Sequence, residues 1–404
     1  MTIKNIPVGY KDSPLGIIPM EWEVKRLGDI CTYFKSGKSI TSSNLNNDGC
    51  YPVYGGNGLR GFSCDYTHDG TYILIGRQGA LCGNINYVEG KNYISEHAIA
   101  VQSRENMLWL KYKLEYWNLN RYSESSAQPG LSVEKLVRYK LTLPPLSEQE
   151  KIAEILSTWD KAIEKQTQLI QKLELRKKGL MQQLLTGKKR LPGFTDEWKK
   201  VKLGEVTTFL SCNTFSREQM NNVCGNLKNV HYGDILVKYS SIVDISRDKD
   251  SIPYINDTIE YSPKDYVASG DIVMADTAED EMVGRACEFI NVGEEKIISG
   301  LHTILIRPII LFAPMFLGYY LNSREYHKQI LSIMQGIKVY SITKEALKNT
   351  TIKYPDIQEQ TTIANILSVC DEEIRLAQDK LAAMKEQKKG LMQVLLTGKR
   401  RVKL

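Results

Sequence analysis

The chain repeats itself without a gap over its two longest amphipathic stretches, and this limits its possible folds more than any other feature. Residues 148–190 read EQEKIAEILSTWDKAIEKQTQLIQKLELRKKGLMQQLLTGKKR, and residues 359–401 read EQTTIANILSVCDEEIRLAQDKLAAMKEQKKGLMQVLLTGKRR. The offset is 211 (359 − 148), and about half the positions are identical. A weaker echo lies upstream of each stretch. Glu21-Trp22 with Leu27-Gly28-Asp29-Ile30 resembles Glu197-Trp198 with Leu203-Gly204-Glu205-Val206, at an offset of 176 (197 − 21). The two offsets differ by 35 residues (211 − 176), so the second half carries an insertion between these anchors. The chain is therefore two half-molecules in tandem. Each is a globular part followed by one long segment, and the globular parts share their edges and little else.

The long segments read as helices. Ile152, Leu156, Trp159, Ile163, Leu173, Leu180 and Leu184 recur at helical steps, and Ile363, Leu367, Ile374, Leu381, Met384, Leu391 and Leu395 do the same in the second copy. Pro144 and Pro145 hold the first helix off until Ser147, which with Glu150 fits a capping box; Asp356 with Glu359 offers the same in the second copy. Gly187 and Gly398 stand where helix-stop glycines belong. Gly179 and Gly390 fall inside the helices, where close packing or a bend would explain them. The stretch 147–185 spans roughly 58 Å at ~1.5 Å per residue. One apolar stripe per helix must be buried. An internal duplication favours packing the two helices on each other, antiparallel, with packing into another subunit as the alternative.

A chain of 404 residues has room for two to four domains at roughly 100–200 residues each. The expected division is 1–145, 146–190, 191–356 and 357–404. The globular parts read as mixed α/β or α+β with small, mostly antiparallel sheets. Strands are predicted at 72–75, 234–237, 271–274 and 302–307, and a helix over 313–323. No apolar run approaches the ~20 residues that span a bilayer, and the first residues lack a signal-peptide core. A cytoplasmic location is the expectation. None of the eight cysteines forms a C-x-x-C pair, so free thiols are expected.

Motifs for catalysis fail on inspection. Gly56-Asn57-Gly58-Leu59-Arg60-Gly61 matches a dinucleotide fingerprint, but no helical pattern follows, so it reads as a loop. Lys35-Ser36-Gly37-Lys38-Ser39 resembles the end of a phosphate loop, yet Thr32 replaces the leading glycine. Pro355-Asp356 with Glu386-Gln387-Lys388 would need adjoining strands to form a nuclease centre, whereas Glu386 belongs to a helix. The only Pro-Pro pair, in Leu143-Pro144-Pro145-Leu146, lacks the polar and aromatic flanks of an adenine-methylation loop. His68, His97, His231, His302 and His327 show no metal-ligand spacing. No catalytic centre, metal or cofactor is expected in this chain.

Polar loops remain, with the residue types that read base edges and hold phosphates. In the first half these are Lys38, Tyr54, Asn57, Arg60, Arg77, Gln78, Ser126 and Gln128. In the second they are Lys238, Tyr239, Ser240, Arg285, Gln335 and Lys338. The net charge of +6 is unevenly placed: residues 146–190 carry +4 and 357–404 carry +3, while 191–356 carry −4, with Asp276, Glu279, Asp280 and Glu281 close together. Such a chain gains little from counterion release alone.

Four features together resemble the specificity subunit of type I restriction–modification systems, over nearly the whole chain. They are the two Trp…Leu-Gly-Asp/Glu openings, Tyr51-Pro52-Val53-Tyr54-Gly55-Gly56-Asn57-Gly58, Leu143-Pro144-Pro145-Leu146-Ser147-Glu148-Gln149, and the Gly-Leu-Met-Gln…Leu-Leu-Thr-Gly ending present twice. The second copy of the third feature, Tyr354-Pro355-Asp356-Ile357, has drifted. The resemblance implies two target-recognition domains, each reading half of a bipartite DNA site, and two antiparallel helices that set the spacer. It implies as partners two modification subunits, carrying S-adenosylmethionine and the N6-adenine methyltransferase centre, and restriction subunits using ATP and Mg. It also implies a bacterium or archaeon as the source. Base-contacting residues differ between members of such a family, so the contact residues named above rest on side-chain chemistry alone.

Overall fold

The computed structural model describes residues 6–123, 130–256 and 264–403. The chain divides into two compact units, Met1–Gln168 with Asp379–Leu404, and Leu169–Gln378. The division cuts through both long helices, Leu146–Leu184 and Ile357–Leu395, each of 39 residues. Each unit therefore owns one globular module, one end of its own helix and the opposite end of the other.

In the first unit a four-stranded antiparallel sheet runs in the order Cys31–Ser36, Ala98–Ser103, Tyr72–Gly76, Ile85–Val88. A second sheet orders Gly58–Ser63, Tyr51–Gly55, Lys91–Ile94 and His68–Asp69, with one parallel pair between Tyr51–Gly55 and Lys91–Ile94. The second unit repeats the plan. Thr207–Leu210, Thr303–Pro308, Ile272–Ala275 and Ala286–Ile290 form the same antiparallel core, and Ile242–Asp244 adds a fifth strand in parallel. Cys31 and Thr207 open equivalent strands 176 apart, whereas Ile73 and Ile272 occupy equivalent positions 199 apart (272 − 73). Most of the 35-residue insertion thus precedes that strand, where three of the four strands of the second unit's other sheet lie, Met220–Asn221, Lys228–Val230 and Tyr254–Ile255, the fourth being Ile297–Ser299.

The predicted strands at 72–75, 271–274 and 302–307 form, because they are buried on both faces. The one predicted at 234–237 does not: Tyr232–Val237 is a helix, with His231 Nδ1 accepting from Gly233 N (3.2 Å). A four-residue apolar run carries no period that separates strand from buried helix. The helix expected over 313–323 is shorter, Phe316–Leu321; Met315 enters it at φ +71°, and the Glu288 carboxylate accepts from Met315 N (2.6 Å) and Gly318 N (2.7 Å).

The repeated Leu-Gly-Asp/Glu motif explains itself. Leu27 and Leu203 are fully buried, and Asp29 and Glu205 accept from the backbone N of Arg26 (3.3 Å) and Lys202 (3.2 Å). A Cβ on Gly28 or Gly204 would lie 2.9 Å from the Cβ of Val137 or Lys348, so only glycine fits. The first helix starts at Leu146, one residue before Ser147, and Glu148 N and Gln149 N donate to Pro145 O (both 3.0 Å), so the Ser147–Glu150 box is not formed. Asp356 does cap, accepting from Gln358 N and Glu359 N (both 2.9 Å), while the Glu359 side chain turns elsewhere. Gly187 (φ +67°) and Gly398 (φ +72°) end the helices as expected, each beneath the ring of Trp198 or Trp22. Gly179 and Gly390 are different: a Cβ there would meet nothing within 4 Å, and the helices run unbroken through them, so neither packing nor a bend requires glycine. Gly179→Ala and Gly390→Ala are each expected to add about 1 kcal/mol of stability, read as a higher urea midpoint; an unchanged midpoint would overturn this.

The helix stripes are buried most deeply where a module covers them, and Ile170 near mid-helix is buried too. Ile152, Leu156 and Leu395 belong to the core of the first unit, and Leu184, Ile363 and Leu367 to that of the second. Leu391 and Leu180 pack partly buried against those cores, and Trp159, Ile163, Leu173, Ile374, Leu381 and Met384 are half-buried. Within the first unit Glu148 pairs with Arg401 and Asp160 with Lys388; within the second Lys177 pairs with Asp371 and Arg190 with Glu359. In both units the helix segments run antiparallel.

Candidate nucleic-acid interface

The first-half candidates converge. The Gly-rich string at 56–61 is not a loose loop but a hairpin, with Gly56-Asn57 as its two-residue turn between Gly55 and Gly58. Ser95 N donates to Tyr54 O (2.8 Å), Lys38 N to Ile94 O (2.9 Å) and Arg77 N to His97 O (2.9 Å). A Cβ on Gly56 would lie 2.8 Å from His97 O and 3.5 Å from Arg77 N. Tyr54, Asn57, Lys38, Arg77 and Gln78 thus sit on adjoining turns, and Arg60 folds its stem against Gly55. Gln78 also pairs with Gly130 as an isolated bridge. Ser126 and Gln128 lie outside the described residues.

The second-half candidates separate into two groups. Lys238, Tyr239, Ser240 and Arg285 gather at the end of the Tyr232–Val237 helix, and several of their donors are engaged there. Arg285 donates to Leu236 O (2.6 Å) and Tyr239 O (2.9 Å), Ser240 Oγ to Ile242 O (2.6 Å), and Lys238 Nζ to Ser251 O. Tyr239 is 5% exposed, and burial pushes its phenol well above the ordinary range. This group lines a groove with Lys177, Met181 and Asp371 of the helices. Gln335 and Lys338 lie elsewhere, on the loop closed by Gln335 N to Ser341 O (2.9 Å) beside Thr277–Ala278.

Residue reasoning missed how each module is fastened to the helices. Tyr112 donates to Asp160 Oδ2 (2.6 Å) while Lys388 donates to Asp160 Oδ1 (2.5 Å); Tyr319 donates to Asp371 Oδ2 (2.7 Å) while Lys177 donates to Asp371 Oδ1 (2.5 Å). Burial raises the Asp160 carboxyl, but Lys388 and Tyr112 outweigh it and hold it below the usual carboxylate range. Gln149 bridges Asn106 N and Pro144 O, and Gln360 bridges Ala313 N and Pro355 O. Identity of Gln149 with Gln360, Asp160 with Asp371 and Lys177 with Lys388 across the repeat was the available signal. Much of the helices' basic surplus is therefore spent internally.

The symmetry breaks at Lys113, whose counterpart is Tyr320. Lys113 is 3% exposed and donates to Thr142 Oγ1 (2.8 Å) and Leu396 O (2.6 Å). Burial lowers its pKa to about 7, and the neutral amine keeps two N–H donors for these bonds. In the unfolded chain a lysine titrates near 10.5, so between pH 7 and 10.5 unfolding takes up as much as one proton. Stability then rises with pH by at most about 1.4 kcal/mol per unit, and no such gain exists below pH 7. Urea unfolding at pH 7 and 9 is expected to show this slope, and Lys113→Met to reduce it; an equal slope in the variant would contradict it.

Among the described residues no group of three or more His, Cys, Asp or Glu side chains could hold a metal, and no helix is long and apolar enough to cross a membrane. All eight cysteines are free. The model of the type I restriction modification DNA specificity domain matches residues 19–175 and again residues 195–386. The chain belongs to this family. It is 27% identical to a type I restriction enzyme specificity subunit, MjaVIII, of Methanocaldococcus jannaschii, over 96% of this chain and 94% of that one. It is 42% identical to the EcoprrI specificity subunit of Escherichia coli over 159 residues, 37% of this chain and only 39% of that relative. The solved type I S subunit from M. genitalium shares the fold, with a TM-score of 0.57 at 14% identity over 93% of this chain and 96% of that one. Each matched stretch holds one globular module and the greater part of the helix that follows it.

Proposed function

We propose that this specificity subunit reads a bipartite DNA site, one half per globular module, and that the paired helices set the gap between the halves. The observation that carries this is the duplicated fastening: two modules of one plan, held at matching positions of two 39-residue helices by Tyr–Asp–Lys sets of the same geometry. A ~58 Å helix corresponds to roughly 17 base pairs at ~3.4 Å rise, room for half-sites about a turn apart. Residues 1–145 and 191–356 are the target-recognition domains on this reading, and 146–190 and 357–404 the spacer. The helices also dock two modification subunits, which bring S-adenosylmethionine and methylate adenine N6. Restriction subunits, with ATP and Mg, complete the assembly. On this reading the half-sites are inverted relative to each other, and the longer second module makes them unequal.

The test is a gel shift on the methylated motif mapped in the host genome. Tight, specific binding is expected only when the modification subunit is added. A shift by this chain alone would favour a free-standing regulator, and no sequence preference in either case a structural adaptor. Isothermal calorimetry of the isolated chain with S-adenosylmethionine is expected to show no heat of binding; measurable binding would place methyl-transfer chemistry in this chain.

A further inference from the structure

The two modules present equivalent turns, matched bond by bond. In the first, Arg77 N donates to His97 O (2.9 Å), Leu131 N to Arg77 O (2.9 Å), and Gln78 bridges to Gly130. In the second, Asp276 N donates to His302 O (3.1 Å), Ile342 N to Asp276 O (2.9 Å), and Thr277 pairs with Ser341. The central sheets fix the same correspondence, since Ala98 pairs with Gly76 and Thr303 with Ala275. Arg77 therefore corresponds to Asp276, Gln78 to Thr277 and His97 to His302. Each histidine holds its neighbour: His97 Nδ1 lies 3.1 Å from Gln78 Oε1, and His302 Nδ1 lies 3.4 Å from Thr277 Oγ1.

A separate observation concerns the hairpin next to the first turn. Ser95 is fully buried, yet its Oγ has no hydrogen-bond partner; neither do Glu96 Oε2 nor Asn86 Nδ2. Ser95 Oγ lies 3.5 Å from where a Cβ on Gly55 would stand, and Asn86 Oδ1 lies 3.5 Å from the same point on Gly58. Folded proteins leave few buried polar atoms unpaired. Ser95 and Asn86 lie beside the Gly55–Gly58 hairpin, while Trp109 Nε1, Trp198 Nε1 and Ser251 Oγ are unpaired elsewhere among the described residues.

We propose that these equivalent turns are the base-reading elements of the two modules, and that they read with opposite hydrogen-bond polarity. This rests on the DNA-reading function proposed above. In the first module Arg77 offers a guanidinium fork. Gln78, its Oε1 engaged by His97, offers its Nε2 donor. His97 in turn has Nε2 at 3.3 Å from Glu96 Oε1. Donors of this kind take guanine O6 and N7 or adenine N7. In the second module Thr277 donates to Asp276 Oδ1 (2.8 Å), which also faces His302 Nδ1 (3.6 Å), leaving Asp276 Oδ2 as the acceptor for a partner. Carboxylate acceptors take an exocyclic amine, cytosine N4 first. His97 and His302 are positioning residues. Lys238, Tyr239, Ser240 and Arg285 lie on neither turn, and several of their donors are engaged inside the unit, so they are not assigned to base reading.

The test is the methylation motif of the complete complex with its modification partner, mapped by single-molecule sequencing for wild type and variants. Arg77→Ala is expected to relax one position of the first half-site by roughly 5- to 150-fold, the worth of one bidentate base contact, with the second half unchanged. Asp276→Asn is expected to move one position of the second half-site from cytosine towards adenine, with the first half unchanged. His97→Ala is expected to loosen the base read by Gln78 while methylation elsewhere in the motif persists. Lys238→Ala is expected to leave the motif intact. Arg77→Lys, which keeps the charge and loses the fork, replaces Arg77→Ala if that variant melts early. Wild-type stringency in the Arg77 and Asp276 variants would overturn the assignment while leaving DNA reading intact. A wild-type complex that methylates no bipartite motif would overturn the underlying function instead.

Discussion

Deleting residues 165–171 together with 377–383 is expected to shorten the unread gap of the DNA site by about three base pairs, or to abolish methylation, with both half-site sequences unchanged. The segments face each other in the antiparallel register that Asp160–Lys388 defines in one unit and Lys177–Asp371 in the other. Seven residues are two helical turns, roughly 10 Å of rise, so the apolar stripe stays nearly in phase and both fastenings survive. The deletion also turns one module about the helix axis by only ~20°, whereas three base pairs turn the DNA far more. A stiff site then fits poorly, which is why loss of methylation is the alternative outcome. Removing either segment alone leaves the partner helix with an unmatched loop and is expected to be worse. Full methylation with the original gap would end the ruler reading, and a change in the bases read would point to the helices as part of the recognition surface.

That experiment is possible because the place and extent of the helices were legible in the sequence, though the first cap and the mid-helix glycines were not. A 43-residue gapless repeat with a 3.6-residue apolar period leaves one local structure open, and both helices fall within a residue of where the pattern places them. The core strands at 72–75, 271–274 and 302–307 were legible for a related reason: both faces are buried, so the apolar run is continuous. The sites were harder to read. Lys238, Tyr239, Ser240 and Arg285 have the chemistry of base readers, but chemistry does not show that some of their donors are engaged by Leu236, Tyr239, Ser251 and Ile242. Asp276 was visible only as part of an acidic run, because its equivalence to Arg77 lies in backbone pairing and not in residue identity. The Tyr112–Asp160–Lys388 set joins positions 228 residues apart (388 − 160), and only the fold brings them together.

Arg401→Ala is expected to destabilise the first unit by about 3 kcal/mol, a fall of roughly 6–12 °C in its melting midpoint. Glu148 is 1% exposed, and its carboxylate accepts from Arg401 Nε (2.7 Å) and Trp22 Nε1 (2.8 Å). Arg401 also reaches Glu21 (2.5 Å), so the last turn of the chain closes on the opening Glu-Trp pair and on the start of the first helix. Removing the guanidinium leaves a buried charge with only the indole N–H for company, and that unmatched charge is what makes the loss large. The low end of the range for broken buried pairs applies because Arg401 itself is about a third exposed. The same argument predicts rescue: Glu148→Gln in the Arg401→Ala background removes the stranded charge, keeps an acceptor for Trp22, and is expected to recover more than half of the loss. The second unit serves as an internal control, since its Glu359 is held by Arg190 alone and Trp198 Nε1 has no partner. Thermal melts of the single and double variants decide the matter. A shift below about 1 °C for Arg401→Ala, or no rescue by Glu148→Gln, would mean that the pair is solvated and that the chain ends are held by the Leu395–Leu396 core instead.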